Sequence, residues 1–289
     1  MRKKLVAVSA AVSAIALTPT AFAAEAPQYV LSANSAATIS VLGTSGDIIS
    51  GQILRGTPDG MGVLKNSDGT ITILSNHEMS LSDKTVQASK SATGTWGSSV
   101  SKLIYNPSTA KITAISNFIN SIQYFDYTNN VWTTDYTKTL PAGFAAVDSY
   151  GGDTFSNGLN RFCSSNLVQA GALTYKDGKK IYGYNGAVYF VAEEGGDTSR
   201  AFAFDMNGNG IQLPKLGVAG YENAVTNTAS GKTTLVMLNE DNGATNSQLY
   251  MYVGTKQEKG ANFAEKAGLT NGQLYTAYVK NTRTDNKFR

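Results

Sequence analysis

The sequence predicts an all-β protein, a β-propeller of about five to six blades, on three observations. Almost every apolar stretch is short, rich in aromatic or β-branched residues, and ended by Gly, Asn or Asp, as in "GVLKNSDGTITIL", "KLIYNPSTAKITAI" and "GAVYFVAEEGG". No apolar stripe at helical spacing reaches useful length, which excludes a fold of alternating strands and helices. The 266 residues after position 23 divide into about six units of the roughly 40 to 45 residues that a four-stranded blade takes. A sandwich would use the same strands, and the spacing favours the propeller.

The chain opens with "MRKK", the apolar run "LVAVSAAVSAIAL" and then "TPTAFA", which ends in the small-x-small pattern Ala21-Phe22-Ala23. Residues 1–23 therefore read as a secretory signal peptide, and residues 24–289 as a single propeller-like domain in the periplasm or outside the cell. No run approaches the ~18 apolar residues of a membrane-spanning helix. Removing the leader takes away Arg2, Lys3 and Lys4, so the formal charge falls from +3 to zero. Nucleic acid is excluded as a partner, since no basic stripe with interleaved aromatics remains. A monomer is expected.

The hairpins follow in order. Asp68-Gly69, Asp177-Gly178 and Asn271-Gly272 supply the positive φ angles of tight turns. "FDYTNNVWTTDY", "TTLVMLNEDNG" and "QLYMYVGTK" read as further strands, and "NFAEKAGL" as one short helix. "DMNGNG" at 205–210 opens like a calcium loop, but its twelfth position is Leu216 rather than a bidentate acid, so it reads as a hairpin turn. The polar loop "DSYGGDTFSNGLNRFCSSNL" is long for a plain connection. The chain stops at Arg289 inside what reads as the start of a strand, so the ring is expected to be incomplete at the C-terminus.

The chemistry narrows by what is missing. One histidine, His77, and one cysteine, Cys163, cannot fill a zinc site or form an internal disulfide. No G-x-S-x-G turn is present for a serine hydrolase, since "GTSGD" at 43–47 lacks the closing glycine. No glycine loop of the nucleotide-binding type occurs. What remains is a series of acids at the ends of apolar strands: Glu78, Glu193-Glu194, Glu222 and Glu240-Asp241. Any one of them taken alone reads first as a strand ending at the surface, and only the recurring pattern points to a site. In a propeller, equivalent strand ends converge on the axis, and converging carboxylates need hard cations such as calcium or magnesium.

The stretches "GTPDGMGVLKNSDGTITILSNHE", "GLNRFCSSNL", "VYFVAEEGG", "GYENAV" and "VMLNEDNGATNSQLYMYVG" resemble, in order, those of the PhoX-like alkaline phosphatases and their secreted relatives. The resemblance covers residues 56 to about 255. It implies a propeller that holds calcium and iron, with Glu78, Cys163, Glu194, Glu222, Glu240 and Asp241 as metal ligands and Asp59 and His77 nearby. It also implies phosphomonoester hydrolysis as the reaction; Arg161 and Arg200, adjacent in sequence to the cysteine and the Glu pair, are the basic groups expected to clamp the phosphate of a small phosphorylated substrate, with ordinary surface salt bridging the alternative for each. A non-catalytic, calcium-stabilised propeller that binds a partner or carbohydrate is the alternative. The chain departs from the family where its H-E-A segment reads Tyr221-Glu222-Asn223, where its E-D-D reads Glu240-Asp241-Asn242, and where no P-W-G-T-W run precedes the Glu pair. Arg2-Lys3 also stands where many members carry a twin-arginine export signal.

Overall fold

The structure is a computed structural model that describes residues 30, 32, 33, 36–80, 96–135, 158–241 and 247–277. The expected signal peptide, residues 148–157 of the polar loop and the expected C-terminal strand lie outside these residues. By packing, the chain divides after Val41, and the unit Leu42–Arg289 holds every described strand. No helix among the described residues is long and apolar enough to cross a membrane.

The class is all-β, as expected. Two sheets are four-stranded antiparallel meanders. The N-terminal sheet runs Pro58–Lys65, Ile71–His77, Ser99–Asn106, Lys111–Asn117, and the C-terminal sheet runs Tyr221–Asn227, Thr233–Glu240, Leu249–Thr255, Gln273–Thr276. Between them lies a six-stranded central sheet in the order Phe162–Val168, Val188–Glu193, Ala201–Asp205, Asn209–Gln212, Ser121–Asp126, Val131–Thr133. Its Asn209–Gln212 and Ser121–Asp126 strands pair in parallel, which brings an earlier hairpin of the chain to the sheet's edge.

The sheets stack in chain order. Tyr189 and Val191 of the central strand "VYFVAE" pack with Leu74 and Val100 of the N-terminal sheet. The alternating residues Val188, Phe190 and Ala192 pack with Tyr221, Val236 and Leu238 of the C-terminal sheet. Both faces of that strand are therefore buried, which is why it reads as a continuous apolar run rather than an alternating one. Strand Thr233–Glu240, covered on one face, alternates buried with more exposed residues. No closed barrel or propeller is identified among the described residues.

The turn chemistry holds at Gly69 (φ 85°) and Gly178 (φ 58°). Asp205 Oδ1 accepts from the backbone N–H groups of Asn207 (3.0 Å) and Asn209 (2.9 Å), so "DMNGNG" is the expected turn. The short helix is Phe263–Lys266, capped by Asn262. Asn271-Gly272 departs from expectation: it follows this helix rather than closing a hairpin. Glycine is required there because an added Cβ would lie 2.2 Å from the Val253 carbonyl oxygen.

Candidate metal centre

The three sheets present the same corner. In each, the first residue of the first strand pairs with the last residue of the second: Pro58 with His77, Phe162 with Glu193, Tyr221 with Glu240. The register shifts immediately beyond each pair, and the second residue of each first strand, Asp59, Cys163 or Glu222, sits in the bulge. Bulges re-aim side chains at the ends of sheets. The acid after each second strand is tied back by its own backbone N–H: Glu78 to the Thr57 carbonyl (2.9 Å), Glu194 to Arg161 (3.0 Å) and Asp241 to Gly220 (2.8 Å). Each corner thus offers one donor from a bulge and one from the residue that closes it.

Neighbouring corners converge on two groups of donors, Asp59–Glu78–Cys163 and Cys163–Glu194–Glu222, each with ligand atoms within 4.8 Å of one another. Cys163 belongs to both. Each group takes the bulge residue and closing acid of one sheet and the bulge residue of the next. The close approach is built into the backbone, since an added Cβ at Gly60 would lie 2.4 Å from the Ser165 nitrogen and 2.7 Å from the Cys163 carbonyl oxygen.

Electrostatics follow from the crowding. Burial pushes the Cys163 thiol up, and the nearby Glu194 and Asp59 carboxylates add to this. The thiol lies 3.6 Å from Glu222 Oε2. Burial also raises the Glu194 carboxyl, opposed by the thiol and Arg161 and reinforced by the charges of Glu78 and Glu222. Arg161 has a positive φ of 43°, and its guanidinium reaches both closing acids: Nε donates to Glu78 Oε1 (2.7 Å), an Nη donates to the same oxygen, and Glu194 Oε2 lies 3.3 Å away.

Five of the eight residues expected at the site come together, Glu78, Cys163, Glu194, Glu222 and Arg161, whereas Asp241 closes the third corner at an exposed position outside both groups. Two more stand apart. Glu240 is buried and accepts from the Tyr250 hydroxyl (3.2 Å) and the Gln248 N–H (3.2 Å). Arg200 is wholly enclosed in a forked pair with Glu193, at 2.8 Å and 2.6 Å, with its guanidinium 5.2 Å from the Phe202 ring centre. Asp59, expected only nearby, is a full member; Asp-Gly inside a strand pattern is the signal for such a bulge.

His77 is buried, with Nδ1 2.9 Å from the Gly56 carbonyl and Nε2 2.7 Å from Ser101 Oγ. Burial lowers it to about 4, so the neutral ring donates from Nδ1 and accepts the serine proton at Nε2. This Ser-His pair is sealed in the core and has a carbonyl where a hydrolase triad has an acid. Its counterpart Glu193 does the same work in the central sheet, accepting the Asn160 N–H (2.9 Å). Both residues brace the corner from below.

No protein-family model matches the chain, and no curated protein matches it. Among solved structures, similarity is found to Pseudomonas fluorescens PhoX in complex with vanadate, a transition state analogue, at 12% identity and a TM-score of 0.41. The match covers 76% of this chain and 45% of that one, so the chain spans less than half of the protein it is compared with.

Proposed function

We propose that the chain is an exported, metal-dependent phosphomonoester hydrolase whose sheets are blades of a propeller and whose centre lies at the junction of the sheet corners. The observation that carries this is the convergence of four carboxylates and one thiol from three sheets beside a single guanidinium. The donor set fits its cations: carboxylate oxygens suit calcium, and the Cys163 sulfur suits iron. Asp59, Glu78, Glu194 and Glu222 would hold the former, with Cys163 supplying the soft position. Bound cations supply polarisation of the phosphoryl oxygens, acidification of a water and screening of the substrate dianion. Arg161 offers a planar fork of donors suited to a phosphate, and Glu78 and Glu194 orient it. Arg200 serves by fixing Glu193, and through it the strand end that presents Glu194.

A second reading, a calcium-stabilised binding propeller, has one observation in its favour. A polar cavity of about 480 Å³ lies at the far end of the central sheet, lined by Tyr184, Phe263, Asp205, Asn209, Gln123 and Lys266, the mix of rings and hydrogen-bonding groups that a sugar engages. The test is release of product from an aryl phosphate by purified protein supplied with calcium and iron. Turnover abolished by chelation is expected. Calcium binding without turnover would select the second reading, and the absence of both metals from periplasmic protein would remove both readings.

A further inference from the structure

The central sheet is six strands wide and the C-terminal sheet four, so part of the wider sheet extends past its neighbour. Ile211, on the fourth strand of the central sheet, still belongs to the core between them. The next strand pairs Gln123 with Ile211 and Ser121 with Asn209, and both Ser121 and Gln123 are exposed. There the apolar pattern gives way to polar side chains, and the cavity of about 480 Å³ opens over them. Its other walls are the end of the hairpin formed by Leu173–Asp177 and Lys180–Tyr184, and the segment 260–266, which carries the short helix. This is the end of the sheet remote from the metal corners: Asp205 pairs with Val188, the first residue of the strand that ends at Glu193.

The hydrogen bonds of the lining leave a particular set of groups over. Its acceptors are taken. Asp205 Oδ1 accepts the backbone N–H groups of Asn207 and Asn209, and Oδ2 accepts from Asn209 Nδ2 (3.0 Å). Asn209 Oδ1 accepts from Ser121 Oγ (3.1 Å), and Asn262 Oδ1 accepts the Glu265 N–H (2.9 Å) as the helix cap. Its donors are not taken: the Tyr184 hydroxyl, the Gln123 amide and the Lys266 ammonium make no hydrogen bond or ion pair among the described residues. Burial and the Asp205 charge raise the Tyr184 hydroxyl, which keeps it a donor. Beside these donors the Tyr184 and Phe263 rings, with centres 5.6 Å apart and planes at 51°, form an apolar angle.

A surplus of donors next to aromatic rings calls for a ligand that is rich in acceptors and has an apolar face. A sugar ring has both, with hydroxyl oxygens around its rim and a C–H face that packs on aromatic rings. The Lys266 ammonium adds a demand for negative charge. The Asp205 carboxylate in the same wall limits that demand to a single charge, because a dianion would meet repulsion there.

We propose that the cavity binds the uronic acid unit of a glycan, with its C–H face in the angle between Tyr184 and Phe263, its carboxylate on Lys266 and its hydroxyls on Tyr184 and Gln123. The proposal rests on the same cavity as the second reading above and gives that reading its ligand. It does not depend on what the sheet corners bind.

The test is saturation-transfer NMR on the 289-residue chain in chelator, with sodium glucuronate, glucose and glucose-6-phosphate as probes. Glucuronate is expected to bind about tenfold more tightly than glucose, the difference made by one charge-assisted hydrogen bond. Lys266→Met is expected to remove that preference and leave glucose binding unchanged, while Lys266→Arg keeps it. Tyr184→Phe retains the ring and is expected to weaken both sugars about fivefold. All three variants are expected to keep the wild-type circular dichroism. Failure to bind any probe, equal binding of glucose and glucuronate, or a preference that survives Lys266→Met would each overturn the proposal. Tighter binding of glucose-6-phosphate than of glucuronate would overturn it as well, since the cavity would then select a dianion. Calcium titration is a separate measurement: calcium bound without any sugar bound overturns this proposal and leaves the reading of the corners standing.

Discussion

Cys163 is the residue that both donor groups share, so its replacement separates a ligand from a buried plug. Cys163→Ser keeps nearly the same volume and is expected to cost about 1 kcal/mol of stability. Iron content and phosphatase activity are expected to fall together, with calcium and secondary structure retained; wild-type activity at matched calcium would remove the thiol from the site. His77 yields a prediction about pH. It titrates at about 4 in the folded chain and near 6.5 when unfolded. The unfolded chain therefore binds more protons between those values. The contribution of the neutral ring is complete above pH 6.5 and is lost as pH falls to about 4, on the order of 3 kcal/mol in all. Urea midpoints in chelator across that range are expected to flatten in His77→Gln, and an unchanged slope would assign the pH dependence to other groups. Arg200→Met leaves the Glu193 carboxylate buried beside apolar rings and is expected to cost roughly 3 to 5 kcal/mol, measured by urea unfolding. Arg161→Met, at a part-exposed position, is expected to cost much less stability and more activity.

The sheet corner is the element that turns local structure into a site. A bulge turns Asp59, Cys163 and Glu222 toward the junction, and the backbone hydrogen bond after each second strand fixes the acid beside it. Gly60 is the most sensitive point, because the first strands of neighbouring sheets approach there at backbone distance. Gly60→Ala is expected to push these strands apart, costing about 1 to 3 kcal/mol and weakening calcium binding at the Asp59–Glu78–Cys163 group. Isothermal titration is the check, with Gly69→Ala as a control that lies on an open turn. If the two variants bind calcium equally, the close approach is not what sets the donor spacing.

At the scale of the whole molecule, the proposed metal centre would tie together sheets that otherwise meet through side-chain packing. Ions that bind only the folded arrangement stabilise it by mass action, about 2.7 kcal/mol at a hundredfold excess over the dissociation constant. Chelation is therefore expected to lower the melting temperature. Glu78→Gln and Glu222→Gln are each expected to reduce that shift, while Asp205→Ala, which acts only in a turn, leaves bound calcium unchanged. A melting temperature indifferent to both chelator and added calcium would show that packing alone holds the sheets together.

The short aromatic and β-branched runs, the Asp-Gly turns and the acids at strand ends are local properties, and the sequence by itself determined from them an all-β chain with carboxylates at strand termini. Among those acids, Glu78, Glu194 and Glu222 lie in the groups that the structure gathers around Cys163, because residues that end strands on one side of a sheet stack share one end of the molecule. Which member of each adjacent pair reaches the centre was decided only by tertiary structure. Glu193 turns inward to Arg200 and Glu194 joins the donors; Glu240 turns to Tyr250 and Asp241 closes the third corner. Successive side chains of a strand point to opposite faces, and a bulge resets that alternation. Neighbouring sheets then decide which face becomes core and which joins the cluster of carboxylates around Cys163. For the same reason Arg161 and Arg200, alike in sequence, become a guanidinium among donors and a sealed ion pair.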